Sequence, residues 1–287
     1  MVKKYSRRKN KTRRKHRGGS STPVVFTLTN SGGFASAANY LCKAYIHAKD
    51  TGSDFFVEND NWKYAYKDGW HDYFKSLKTL PVNPPEGIKR YKHPVNNSGI
   101  NDVPLAIIKK YKTCAKEIFV LNDDLAKRAQ DYIDTMGKPY NAVYVRMGDK
   151  VSGDNKESDA VPLTDIVKMM ELPEGSKLFV MTDDYSVKED LEKRLPSVKI
   201  FTLTPPENKG STENGLRKLP KEEMKKHAEE LFMSIQILTQ AEKAWVWNSS
   251  NLGRFMKLLS PDNIALYPDD NKRLNTNVFD PASGVHL

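Results

Sequence analysis

Two cysteines in 287 residues, Cys42 and Cys114, are too few for a disulfide framework or a paired-cysteine zinc site. One falls inside an amphipathic pattern and the other beside lysines, which predicts a reducing compartment. No stretch approaches the roughly 20 apolar residues of a membrane span, and the N-terminal stretch has no apolar segment of a signal peptide. The chain is therefore expected to be cytoplasmic, with no transmembrane segment. It has no Walker loop, no Gly-x-Ser-x-Gly elbow and no His-Glu-x-x-His. His16 and His286 lie near the ends, and His47, His71, His93 and His227 sit without partners in sequence, so histidine chemistry is not expected. The body also lacks an excess of either charge. Ten of the 46 Lys and Arg fall in residues 1–19, where there is no acid, so the rest carries 36 basic residues against 36 acids. The net charge of +10 belongs to a tail, and the body offers no charge-based reason to bind nucleic acid.

Residues 1–21 hold too many like charges and too few apolar groups to pack, so they are expected to be disordered. Residues 1–19 could serve as a nuclear address, as a contact with a polyanion such as RNA or with a membrane surface, or only as a solubilising leader.

Beyond the tail the chain reads as α/β. Residues 24–28 form a strand candidate, followed by Thr29-Asn30-Ser31-Gly32-Gly33. Phe34, Ala37, Ala38, Leu41, Cys42, Tyr45 and Ala48 then recur with the period of a helix. Strand, Gly-rich turn and helix open a nucleotide-binding unit, where glycine lets backbone approach a ligand and the helix start favours an anion. Two glycines alone serve a plain tight turn equally well. Residues 54–58 give the next strand, and the aromatic-rich stretch after it predicts a packed corner with Trp62 and Trp70 in the core. Residues 75–104, rich in Pro, Asn and Gly, read mostly as loop. A helix over 105–115 and a short apolar stretch at 118–121 follow. Asn122-Asp123-Asp124 caps a helix that runs to Met136 and closes on Gly137. The Gly-Lys-Pro break there divides a unit at 22–137 from one at 138–287.

The second unit alternates strand and helix four times, which means a parallel sheet with helices on both faces. Three of its strands end in polar groups: Arg146, Asp149 and Lys150 after 142–145, Thr182, Asp183 and Asp184 after 177–181, and Asn248, Ser249 and Ser250 after 244–247. Parallel strands share one carboxyl edge, so these clusters should converge there, where ligands bind in such sheets. Asn248-Ser249-Ser250 before a helix suits a phosphate, and Arg146 can grip phosphate oxygens with two donors. Asp183 and Asp184 could accept from a ribose, a base or basic side chains, while N-capping the next helix is a competing role for Asp184. The adjacent acids make a poor metal site, so no metal or cofactor is expected. Asp154 lies within loop reach as a general base.

These residues resemble the α-1,6-fucosyltransferase and nodulation-fucosyltransferase family. The family's His-Val-Arg-Arg-x-Asp-Lys-Val stands here as Tyr144-Val145-Arg146-Met147-Gly148-Asp149-Lys150-Val151, and its Ala-Thr-Asp-Asp as Met181-Thr182-Asp183-Asp184. Leu238-Thr239-Gln240-Ala241-Glu242 through Ser249-Ser250 is similar to a third motif. Gly33-Phe34, Glu58-Asn59-Asp60-Asn61-Trp62-Lys63-Tyr64-Ala65 and Gly69-Trp70 match motifs of the first half. The resemblance covers roughly residues 24–267. It implies a GT-B fold of two Rossmann-like domains, the first on the acceptor side and the second binding the donor. It also implies an inverting, metal-independent transfer of fucose from GDP-fucose to a glycan acceptor. Arg146 would hold the β-phosphate, Asp149 and Lys150 would shape the donor pocket, and Asp183, Asp184, Ser249 and Ser250 would line the GDP site together with the Gly32-Gly33-Phe34 turn. Asp154 falls at the position of the catalytic Glu. Tyr144, Met147 and Ser234 depart from the pattern, and Ser234 stands where an Asp would contact the nucleotide.

No counterpart of the family's membrane anchor, coiled-coil stem or SH3-like module is expected, so core N-glycan is not the acceptor the resemblance implies. The basic leader ending in Gly-Gly resembles those of proteins from large DNA viruses. A glycosyltransferase using GDP-fucose or another nucleotide-diphosphate sugar is thus expected. The alternatives are a catalytically degenerate nucleotide-sugar or glycan binder docked by its tail, and an RNA-binding protein. Substituting Arg146 with alanine is expected to abolish transfer and leave the fold intact.

Overall fold

The structure, a computed structural model, describes residues 22–30, 32–59, 61–92, 108–151, 156, 160–248, 250–260 and 262–267. The expectations for residues 1–21, Asp154 and Ser249 lie outside these residues, as does the side chain of Lys150.

The first unit follows from a short apolar strand, β1 (Val24–Leu28), whose five residues are all buried. The helix α1 (Phe34–Thr51) packs on it through the predicted alanine-rich face, and Gly52 closes the helix in the left-handed conformation. Beside β1 run β2 (Phe55–Asn59), β3 (Lys78–Thr79) and β4 (Lys89–Lys92), in the order β3-β2-β1-β4 and all parallel. Residues 75–92, the described part of the stretch expected to be mostly loop, are mostly loop and add two short strands, β3 and β4. Lys89-Arg90-Tyr91-Lys92 has one apolar residue, Tyr91, and pairs with β1 as an edge strand through backbone bonds that no hydrophobic pattern announces. Trp62 and Trp70 are buried, as predicted, and they stack on each other at 6.0 Å. Next come α2 (Ile108–Ile118) and α3 (Asp123–Met136), the latter capped by the Asn122 side chain accepting from Leu125 N–H at 3.0 Å. The apolar run at 118–121 makes no strand; Leu121 forms a single bridge to Phe74.

The second unit is a five-stranded parallel sheet in the order β7-β6-β5-β8-β9. Its strands are β5 (Asn141–Val145), β6 (Lys177–Thr182), β7 (Lys199–Phe201), β8 (Lys243–Trp247) and β9 (Ile264–Tyr267). Between them lie α4 (Gly148–Val151), α5 (Leu163–Met170), α6 (Ser186–Arg194), α7 (Glu213–Arg217), the 19-residue α8 (Lys221–Thr239) and α9 (Asn251–Leu259). β5 is central, with β6 on one side and β8 on the other, so chain order reverses beside it. Such a switch point leaves a crevice at the carboxyl edge.

The two units share one aromatic cluster. Phe232 of α8 lies 4.7 Å from Phe34, 4.8 Å from Phe74 and 5.0 Å from Tyr73, ring centre to ring centre. Phe255 of α9 reaches Phe34 at 5.7 Å and Phe119 at 6.0 Å. These rings lock the start of α1 against α8 and α9, which sets the carboxyl edges of β1 and β5 across a common space.

Candidate functional site

That space is a cavity of about 300 Å³. From the first unit it takes Gly32, Gly33 and the opening turn of α1, with Lys63 and Tyr64 after β2. From the second it takes the ends of β5, β6 and β8, a face of α8 and the start of α9. The convergence expected from the strand ends is therefore realised: Tyr144, Arg146 and Asp149, Thr182 and Asp183, and Ser250 all line it.

Two helices begin here without an acid in their first turns. α1 starts at Gly33 with no side chain capping it. Gly32 holds φ at 69°, a conformation that favours glycine, whereas a side chain at Gly33 would meet no protein atom within 4 Å. Packing does not require Gly33 to be bare, and its bareness leaves backbone open to a ligand. α9 is capped by Ser250, whose Oγ accepts from Leu252 N–H at 3.1 Å and lies 3.4 Å from the Tyr144 hydroxyl. Positive helix ends aimed into one cavity favour an anion.

Arg146 is held rather than free. Its Nη2 donates to Asp149 at 3.0 Å, and its Nη1 forms an ion pair with Asp183 at 3.2 Å, off-line for a hydrogen bond. The other oxygen of Asp183 accepts from Met147 N–H at 2.8 Å. Both acids are buried, at 7% and 8% exposure. Burial alone would lower the Arg146 pKa, but Tyr144, Asp183 and Asp149 outweigh it and hold the guanidinium firmly charged. The Tyr144 hydroxyl is pushed up by burial, opposed by Arg146.

Asp183 and Asp184 diverge. Asp184 accepts from Ser186 N–H at 2.9 Å and from its hydroxyl at 2.7 Å at the start of α6, and it does not line the cavity. Its side chain is held by Ser186, because neighbouring residues at a strand end point apart, although the N-cap position of α6 is Tyr185. Gly148 follows from the same crowding. A Cβ there would lie 2.2 Å from the Ser211 carbonyl oxygen and 2.5 Å from the Asp183 carboxylate. Gly148→Ala is expected to destabilise the protein by about 1–3 kcal/mol, because backbone cannot yield as a side-chain tip can. A urea midpoint equal to that of the wild type would contradict the close approach.

α8 contributes a face on which the resemblance marked Ser234 and sequence reasoning missed His227 and Glu230. His227, Glu230, Leu231 and Ser234 recur at i, i+3, i+4 and i+7 and all line the cavity. Leu231 also faces this space, while Phe232 beside it is buried in the core. The spacing was readable in the sequence, and Ser234 was the one position that marked this side of α8 as facing a ligand. Burial, reinforced by Lys63 and Arg146, lowers the His227 pKa to about 4, and burial raises that of Glu230. The unfolded chain takes up the His227 proton near pH 6.5, the folded chain only near 4, so the unfolded state holds more protons between them. His227 is thus expected to contribute a loss of about 3 kcal/mol as pH drops from about 6.5 to about 4, partly offset by the raised Glu230 pKa. His227→Gln should remove that part of the slope in urea melts, and an unchanged slope would refute the assignment.

Solved structures match this arrangement across most of the chain. NodZ alpha-1,6-fucosyltransferase soaked with GDP-fucose superposes with a TM-score of 0.51 at 15% identity, covering 87% of this chain and 96% of its own. A mutant of Arabidopsis thaliana FUT1 in complex with GDP superposes with a TM-score of 0.56 at 10% identity, covering 88% of this chain and 72% of its own. The fold is that of the GT-B fucosyltransferases. No family model matches the sequence, and no curated protein matches it. In the GT-B frame the cavity is the cleft between the two units, with the strand-end motif of β5 on one wall and the Gly32-Gly33 turn on the other. Among the described residues, no helix is long and apolar enough to cross a membrane.

Proposed function

We infer that this protein is a glycosyltransferase that transfers fucose from GDP-fucose to a glycan acceptor, with inversion and without a metal. The observation that carries the reading is the meeting of Arg146 and two acid-free helix starts in one interdomain cavity. Structures with the same fold were solved with GDP-fucose and with GDP. In the transfer, an acceptor oxygen forms a bond to the sugar's anomeric carbon as the bond from that carbon to the β-phosphate oxygen breaks. The electron pair leaves with GDP, and the acceptor's proton passes to a carboxylate base, a role for which Asp154 is the candidate. The growing charge on the leaving diphosphate is stabilised by Arg146 and by the starts of α1 and α9, preoriented donors that need no reorganisation. Asp149 and Asp183 keep the guanidinium in place, and Ser250 fixes the start of α9.

One observation favours a second reading. Arg146 is already shared between two buried acids, which suits a binding protein as well as a transferase. Calorimetry with GDP, UDP and ADP, with and without magnesium, followed by a donor screen for released nucleotide, tests both. Binding of GDP with sugar-dependent GDP release supports the transferase, and binding without turnover supports the binding protein. A magnesium requirement would refute the metal-independent mechanism, and absence of any nucleotide binding would sink the donor reading.

A further inference from the structure

Resting on the donor reading above, we propose that Lys63, carried by the first unit, supplies the second cation on the donor's diphosphate, opposite Arg146. The charge lining the cavity calls for one. The described charged side chains that line it are Arg146 and Lys63 against Asp149, Asp183 and Glu230, three carboxylates to two cations. Arg146 already answers two of those acids. Met147, next along the chain, packs against the core and brings no charge. A diphosphate is doubly to triply charged, and a single guanidinium engaged with two carboxylates cannot balance it in a partly desolvated site.

Lys63 is placed for the task by a rigid turn. Trp62 and Tyr64 on either side of it are buried at 4% and 3% exposure, and Ala65 N–H donates to the Trp62 carbonyl at 2.9 Å. The Tyr64 carbonyl accepts from the Tyr73 hydroxyl at 2.6 Å, and the Tyr64 ring packs 6.0 Å from Phe232. The Lys63 ammonium lies 5.2 Å from the centre of that ring, so its stem runs along an anchored aromatic face into the cavity. Lys63 and Arg146 both act on His227, which places the two cations within electrostatic reach of one imidazole from opposite units. Engagement of the donor by both would tie the two units together through the diphosphate.

The test is titration of wild type, Lys63→Met and Lys63→Arg with GDP, with the His227 imidazole followed by NMR. Lys63 and Arg146 act on that imidazole, and Tyr64 of the first unit, Asp149 and Asp183 at the strand ends and Glu230 on its own helix line the same cavity. Lys63→Met is expected to weaken GDP binding at least about tenfold, the loss of one charge-assisted contact, while Lys63→Arg keeps it within about threefold. In the free protein Lys63→Met should raise the His227 pKa, and in wild type GDP should raise it too, a readout that a purely structural Lys63 would not move. Equal GDP affinity in wild type and Lys63→Met overturns the proposal, as does an equal loss in Lys63→Arg. If wild type binds no nucleoside diphosphate, the donor reading itself fails.

Discussion

Arg146→Ala is expected to abolish sugar transfer and to destabilise the protein by about 3–5 kcal/mol, the cost of breaking a buried ion pair. The sequence alone suggests that a strand-end cation adds little to the fold, and the structure corrects this. Arg146 compensates Asp149 and Asp183, both below 10% exposure, and its loss leaves two carboxylates facing each other in a site that water enters poorly. Two companion variants separate chemistry from folding. Arg146→Ala combined with Asp183→Asn removes one stranded charge and should recover part of the stability in urea melts without recovering transfer. Arg146→Lys keeps the charge but not the two-pronged grip, so it should fold better than Arg146→Ala and still lose transfer. Full activity in folded Arg146→Ala would remove Arg146 from the site, and unchanged stability would refute its role as the counter-ion of both acids.

Phe232→Ala should lower stability by about 3–5 kcal/mol, the range for deleting a buried phenyl ring. Phe232 is fully buried and touches Phe34, Tyr64, Tyr73 and Phe74, all of the first unit. Truncating it opens a void between α8 and the start of α1 and loosens the Tyr64 turn that carries Lys63. Weakened nucleotide binding should therefore accompany the loss, although the ring does not line the cavity. Phe232→Leu, which fills more of the space, should restore most of both. Chemical denaturation with GDP titration checks this, and full affinity in Phe232→Ala would show that the two units hold the cavity without that cluster.

Much of this protein was legible from its residues. The alternation of apolar strands with amphipathic helices determined an α/β fold with parallel sheets, because period-2 and period-3.6 patterns bury surface in only one way each. Parallel strands share a carboxyl edge, so the polar ends of β5, β6 and β8 were bound to meet. The tertiary structure decided which members of those clusters face the ligand space. It turned Asp183 inward and Asp184 onto Ser186, it brought His227 and Glu230 to the cavity beside the expected Ser234, and it set Lys63 across from Arg146. It also found β4, a strand of three cations and one tyrosine held by backbone bonds to β1. Local periodicity records which side of an element is apolar, not what stands opposite. Whether a polar side meets solvent, a partner charge or a ligand is settled only when distant segments pack, here through the aromatic cluster that joins the two units.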